Sequence, residues 1–240
     1  MIKAVFFDLD GTLLPFDEKE FTDIYFNLLK EKAKEIGYDE NQFIKFVIEG
    51  VSLMYLNDGS STNEEVFWSH FKNSFKETNI EHVKLVFKNF YKNEFLKTIC
   101  CCKENPLAKE IISFCRNNFQ YVVLSTNPVF PKEATLARMS FILLEENDFD
   151  LVTTYENSSF TKPNPQYFIE ILKKFSLKPE EVVLFGNSEL EDYLCATKCG
   201  IRTFLVGDYI IKDKRVNKPI KHYKLEDIIE ILKALNKGEL

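Results

Sequence analysis

Ala4-Val5-Phe6-Phe7-Asp8-Leu9-Asp10-Gly11-Thr12 is an apolar run that ends abruptly on two carboxylates, a glycine and a threonine. The apolar part reads as a strand buried on both faces. Such strands belong to parallel sheets, and open α/β sheets bind ligands beyond the carboxyl ends of their strands. Asp8 and Asp10 sit at that end. The Asp10-Gly11 pair also suits a hairpin turn. A hairpin needs a partner strand directly afterwards, whereas Leu13-Leu14-Pro15 leads here into a long helical pattern.

Residues 17–95 read as four amphipathic helices. Asp17 with Glu20 caps the first, which carries Phe21, Ile24, Tyr25, Leu28 and Leu29 and stops at Gly37. Asp39 with Gln42 starts the second, and Thr62 with Glu65 is a capping box for the third. The fourth carries Val83, Val86, Phe87, Phe90 and Tyr91. The aromatic stripes are the core of a helical bundle. After residue 104 strands alternate with helices. Strands are predicted over 120–125, 150–154, 182–186 and 201–206. Helices are predicted over 106–118, 131–139, 165–175, 189–199 and 225–236. This alternation means a parallel sheet covered on both faces. The division is a Rossmann-like core from 1–15 and 97–240, interrupted by an all-helical cap over 16–96. Pro15-Phe16 and the region 96–104 are the two candidate hinges.

With 37 acidic and 31 basic side chains the net charge is −6, which argues against a nucleic-acid partner. No apolar stretch approaches the roughly 18 residues of a membrane span. Asp8 and Asp10 interrupt the place where a signal peptide keeps its apolar region, so the chain is read as cytoplasmic. The six cysteines form no C-x-x-C pair and lie far in sequence from the three histidines, so neither zinc nor a disulfide framework is expected.

Asp8-Leu9-Asp10-Gly11-Thr12 resembles the nucleophile motif of the haloacid dehalogenase superfamily, most of whose members are phosphatases. The resemblance implies that Asp8 takes the phosphoryl group as an aspartyl phosphate and that Asp10 acts as general acid and base. Gly11 would turn the chain tightly beside the phosphate, which Gly11 and Thr12 would help to bind. Further motifs follow in order. Val123-Leu124-Ser125-Thr126-Asn127-Pro128 supplies the hydroxyl that the family places at the end of the second strand. Thr126, with Asn127, fits that pattern better than Ser125. Lys162, in Lys162-Pro163-Asn164-Pro165, resembles the cation that offsets the charge of the nucleophile and the phosphate. The fourth motif departs from the pattern. The family has Gly-Asp and a later acid, whereas this chain has Gly186-Asn187, then Glu191 and Asp192. The implied ligands of a Mg²⁺ ion are Asp8, the Asp10 carbonyl and Asn187, with Asp192 in support and Glu191 as its alternative. Ser188 with Glu191 also reads as an ordinary capping box.

Together these features imply Mg²⁺-dependent hydrolysis of a small phosphorylated metabolite. A phosphomutase on the same fold is an alternative, as is a non-catalytic binding protein, which Asn187 motivates. A dehalogenase would lack the second aspartate, so Asp10 argues against it. The Leu56–Ser61 link between cap helices is a segment that can face the site. Substrate identity and oligomeric state have no signature in the chain.

Overall fold

The structure, a computed structural model, describes residues 1–75 and 79–239. β1 (Ala4–Phe7) is fully buried and pairs in parallel with both β2 (Tyr121–Leu124) and β4 (Val182–Gly186). β3 (Leu151–Val152) lies outside β2, while β5 (Arg202–Val206) and β6 (His222–Tyr223) extend the sheet beyond β4. The order is β3-β2-β1-β4-β5-β6, all parallel. The chain winds outward from β1 in one direction and returns to wind in the other, so the switch point lies between β1 and β4. The carboxyl ends of those strands carry Asp8 and Asn187.

Alternation along β1 assigns its side chains to two cores. Val5 and Phe7 join the cluster made by α5 (Pro106–Asn118) and α9 (Ile228–Lys237), which continues into the cap. Ala4 and Phe6 join the cluster under α7 (Gln166–Phe175). Burial on both faces is why this strand shows no polar alternation.

Among the described residues the inserted segment supplies no strand to the sheet. Its helices are α1 (Glu18–Glu35), α2 (Glu40–Tyr55), α3 (Asn63–Ser74) and α4 (Ile80–Lys92). The caps are those read from the sequence: the Asp17 carboxylate accepts from the Glu20 amide, Asp39 accepts from Gln42, and Thr62 and Glu65 close a capping box. The return path is narrower than the expected hinge. Residues 94–101 form a 3₁₀ helix with Phe95 and Thr98 fully buried. The two linkers lie side by side there: Phe16 bridges Cys102, and the Lys103 amide donates to the Pro15 carbonyl at 2.8 Å.

The core departs from expectation at three other points. β3 is shorter than 150–154, because the Asn157 side chain takes both the Val152 carbonyl and the Thr154 amide. The expected helix over 189–199 starts as a π-helical stretch (Glu189–Leu194) and becomes α8 (Cys195–Lys198) only at its end. β6 is a two-residue edge strand, too short to leave a periodic signal.

Candidate active site

Asp8 ends β1 at the centre of the sheet and is 6 % exposed. Its Oδ1 accepts from the Lys162 ammonium at 2.9 Å and its Oδ2 from the Thr12 hydroxyl at 3.2 Å. Lys162 comes from the loop before α7 and is fully buried. Its Nζ also donates to Asp192 Oδ1, at 2.6 Å. Burial pulls the lysine pKa down, but the Asp192 and Asp8 carboxylates outweigh that and hold it well above its usual value. Burial pushes the Asp8 carboxyl upward; Lys162 opposes the rise, and the charges of Asp192 and Asp10 add to it. One ammonium shared between two carboxylates stays charged, yet it gives Asp8 less than a full counter-charge.

Gly11 turns the chain after Asp10 with φ +76°, and a Cβ there would lie 2.1 Å from the Asn187 amide nitrogen. The contact brings the carboxyl end of β4 against the turn. Asn187 donates from Nδ2 to the Tyr209 carbonyl at 2.7 Å, and its Oδ1 accepts from the Thr12 hydroxyl at 3.3 Å. Thr12, expected on the phosphate, therefore spends its hydroxyl between Asp8 and Asn187. The two groups that share that hydroxyl, a carboxylate and an amide carbonyl, both offer oxygen. Such donors fit a hard divalent cation.

Asp192 is placed differently from a metal ligand. Its Oδ2 accepts from the amides of Asn187 and Ser188 at 3.0 and 2.9 Å, and Lys162 occupies its Oδ1. Only a glycine at 186 permits this folded-back carboxylate, since a Cβ there would lie 2.3 Å from Asp192 Cγ. The π-helical turn is where that side chain bends back. Glu191, the alternative acid, faces the cap instead. It accepts from Asn127 Nδ2 at 3.1 Å and from the Tyr55 hydroxyl of α2 at 3.4 Å, and burial pushes its carboxyl up to about 7.

Ser125 and Thr126 have different surroundings. The Ser125 hydroxyl donates to the Phe7 carbonyl inside the sheet, whereas Thr126 lines the central cavity with Asp8, Asp10 and Asn187. Asn127 is occupied at both ends of its amide: Oδ1 accepts from the Lys162 amide, and Nδ2 donates to Tyr55, Glu191 and the Lys162 carbonyl. It brackets the lysine loop rather than presenting a free amide to phosphate. The 56–61 link is turned away from the cavity. Asn57 is buried and donates to Asn63, and Gly59 lies against the Phe160 ring.

Arg138 escapes a reading of the sequence. It lies in α6 (Lys132–Ser140), 1 % exposed, and its Nη1 donates to Asp10 Oδ2. Its Nε donates to the Ala134 carbonyl, its Nη2 to Thr135 Oγ1, and its guanidinium sits 4.5 Å over the Phe130 ring. In sequence it is one more cation in a last helical turn, where the helix dipole favours it. Asp10 is thus held by one oxygen, and its Oδ1 is buried without a partner. Burial raises the Asp10 carboxyl; Arg138 and Lys162 oppose the rise.

Among the described residues no helix is long and apolar enough to cross a membrane. Residues 2–200 match the family described as haloacid dehalogenase-like hydrolase. The chain is 26 % identical over 188 residues to the phosphorylated carbohydrates phosphatase of Thermotoga maritima, covering 78 % of this chain and 77 % of that one. It is 26 % identical over 222 residues to the glyceraldehyde 3-phosphate phosphatase of Methanothermobacter thermautotrophicus, covering 90 % of each. Among solved structures it resembles a putative β-phosphoglucomutase from Thermotoga maritima (TM-score 0.58, 22 % identity, 98 % and 100 % covered). It also resembles a 2-haloacid dehalogenase from Pseudomonas syringae pv. tomato (TM-score 0.62, 17 % identity, 98 % and 100 % covered). Those two likenesses concern the fold: a Rossmann-like parallel core carrying a helical cap. With the family match spanning most of its length, the chain belongs to the haloacid dehalogenase-like hydrolases.

Proposed function

We propose that this chain is a Mg²⁺-dependent phosphatase that hydrolyses a phosphate monoester of a small metabolite through a phosphoryl group carried on Asp8. One observation carries the reading. Two carboxylates two residues apart are held in different ways: Asp8 faces an ammonium, and Asp10 is tethered by Arg138 through one oxygen while the other is buried and unpaired. In this reading Asp8 is the nucleophile. Its carboxylate oxygen bonds to phosphorus as the bond to the alcohol oxygen breaks. Asp10, raised by burial, holds the proton that goes to the departing alkoxide. The resulting Asp10 carboxylate takes a proton from the attacking water, whose oxygen displaces Asp8 and releases inorganic phosphate. Thr126 and Lys162 hold the transferred phosphoryl group, and Asp192 keeps Lys162 aimed at Asp8. A Mg²⁺ held by Asp8, the Asp10 carbonyl and Asn187 would neutralise charge on the phosphoryl oxygens. The names of the two curated relatives, both phosphatases of phosphorylated small molecules, support the same substrate scale.

The test is phosphate release from a panel of phosphorylated metabolites with Mg²⁺ present, for the parent and for Asp8→Asn. The parent is expected to turn over at least one of them. The folded variant should be slower by about 1,000-fold or more. Near-parental turnover by Asp8→Asn would refute the assignment of the nucleophile.

A further inference from the structure

The space above the two carboxylates is large and aromatic. A cavity of about 1240 Å³ opens between cap and core, with Asp8, Asp10 and Thr126 at its floor. Ligand pockets commonly hold roughly 300–1,000 Å³. The alcohol part of the substrate must occupy this space, because Asp8 and Asp10, which act on its phosphoryl group in the proposed reaction, line the floor.

Arg138 and Phe130 line the cavity near its floor. Arg138 lies over the Phe130 ring, and Phe130 packs against Tyr25 and Phe21 with ring centroids 5.4 and 6.3 Å apart. Higher up, Phe43, Val47, Val51, Phe67 and Trp68 of the cap line the same cavity. Several of the polar groups on its wall are committed to one another, while Glu18 and Glu81 also line it. The hydroxyls of Tyr25 and Tyr91 share a hydrogen bond of 2.8 Å, and Trp68 Nε1 donates to the Tyr155 hydroxyl at 3.2 Å. Lys84 is paired with Glu64 and Lys88 with Glu133, at 3.3 and 3.1 Å. Against the aromatic part of that wall a polyol would give up hydrogen bonds to water and find few in exchange. A planar apolar body would exchange water for ring faces and edges.

Resting on the phosphatase reading above, we propose that the substrate is a phosphate monoester of a bulky, mainly apolar alcohol that carries an aromatic ring system, held by the cap cavity. Sugar phosphates are then poor substrates, although the floor of the site is able to accept their phosphate.

The experiment compares primary alkyl phosphates, so that leaving-group basicity stays similar: 2-(2-naphthyl)ethyl phosphate against glyceraldehyde 3-phosphate and glucose 6-phosphate, with acetyl phosphate as a small control. Binding is measured in parallel by calorimetry with two compounds that cannot be hydrolysed, 3-(2-naphthyl)propylphosphonate and 3-hydroxypropylphosphonate. The expected result is a kcat/KM for the naphthyl ester on the order of 100-fold above either sugar phosphate, with a similar preference in phosphonate binding. Equal or better turnover of the sugar phosphates, with no binding preference between the phosphonates, overturns the substrate class and leaves the phosphatase reading standing. No phosphate release from any compound, with tight binding of the naphthyl phosphonate, supports the ligand class and removes the phosphatase reading. No release and no binding preference overturns both.

Discussion

In the proposed reaction Arg138 acts through Asp10, and that gives its loss a distinctive signature. Arg138→Met should leave Asp10 untethered, so that proton delivery to the alkoxide becomes inefficient. General acid catalysis is worth about 100-fold or more, and poor leaving groups need it most. The variant should therefore lose about 100-fold in kcat/KM on an alkyl phosphate and less than about tenfold on acetyl phosphate. Equal losses on both substrates would mean that Arg138 serves the fold alone. Asn187 makes a second prediction. Its amide oxygen shares the Thr12 hydroxyl with Asp8 but brings no negative charge to the donor set. Asn187→Asp should lower the Mg²⁺ concentration needed for half-maximal activity, since ligand charge is a main lever on affinity for a hard cation. An unchanged Mg²⁺ titration places the metal elsewhere. Asn187 could be found in the chain because it stands where the family keeps an acid. Arg138 could not, because its role depends on an aspartate 128 positions away.

At the scale of elements, side chains from one segment finish the ends of another. α6 begins at Lys132, whose amide donates to both oxygens of Glu156 at 2.9 and 3.1 Å. Burial raises the Glu156 carboxyl, while bonds from Thr154 and Lys132 oppose the rise. A raised acid binds its proton more tightly in the folded chain than in the unfolded one. Its favourable contribution is thus fully present below the ordinary glutamate value and is lost as pH rises through the folded value. Glu156→Gln keeps an acceptor for the Lys132 amide and removes the charge. It should melt with the parent at about pH 4 and about 2 °C above it at about pH 8. A difference independent of pH would show that titration of Glu156 is not its source. The helix caps of α1, α2 and α3 were legible because each is completed within four residues of sequence. The Glu156 cap is not local, and neither is the Asn157 side chain that shortens β3.

At the scale of the whole molecule, the cap is fastened to the core through the start of α3. The amides of Asn63 and Glu64, which a helix cannot satisfy itself, donate to the carbonyls of Ser158 and Tyr155 at 2.9 and 2.8 Å. The Asn63 side chain is fully buried; it donates to the Pro128 carbonyl at 3.2 Å and accepts from Asn57. Asn63→Ala leaves those partners unpaired and should cost about 1–3 kcal/mol. The loss should be concentrated at this junction. Hydrogen exchange would show the Asn63 and Glu64 amides exchanging faster while those of β1 and β4 keep their protection. Uniform loss of protection across both layers would mean that the junction is not a separate fastening.

Short-range chemistry determined the buried first strand, the capped helices, the α/β alternation and the order of the motifs, because each is written in contacts between near neighbours. The resemblance of the chain's short motifs to those of the family supplied Asp8, Asp10, Thr126 and Lys162 as candidates. Long-range packing settled what each of them touches. Lys162 lies between Asp8 and Asp192, the Thr12 hydroxyl between Asp8 and Asn187, and Asp10 is held from α6. The aromatic residues that read as a closed bundle core also line a cavity above the carboxylates. Periodicity reports which face of a helix avoids water. It carries no information on how far apart the facing helices come to rest, and that separation is what turns a packed core into a binding space.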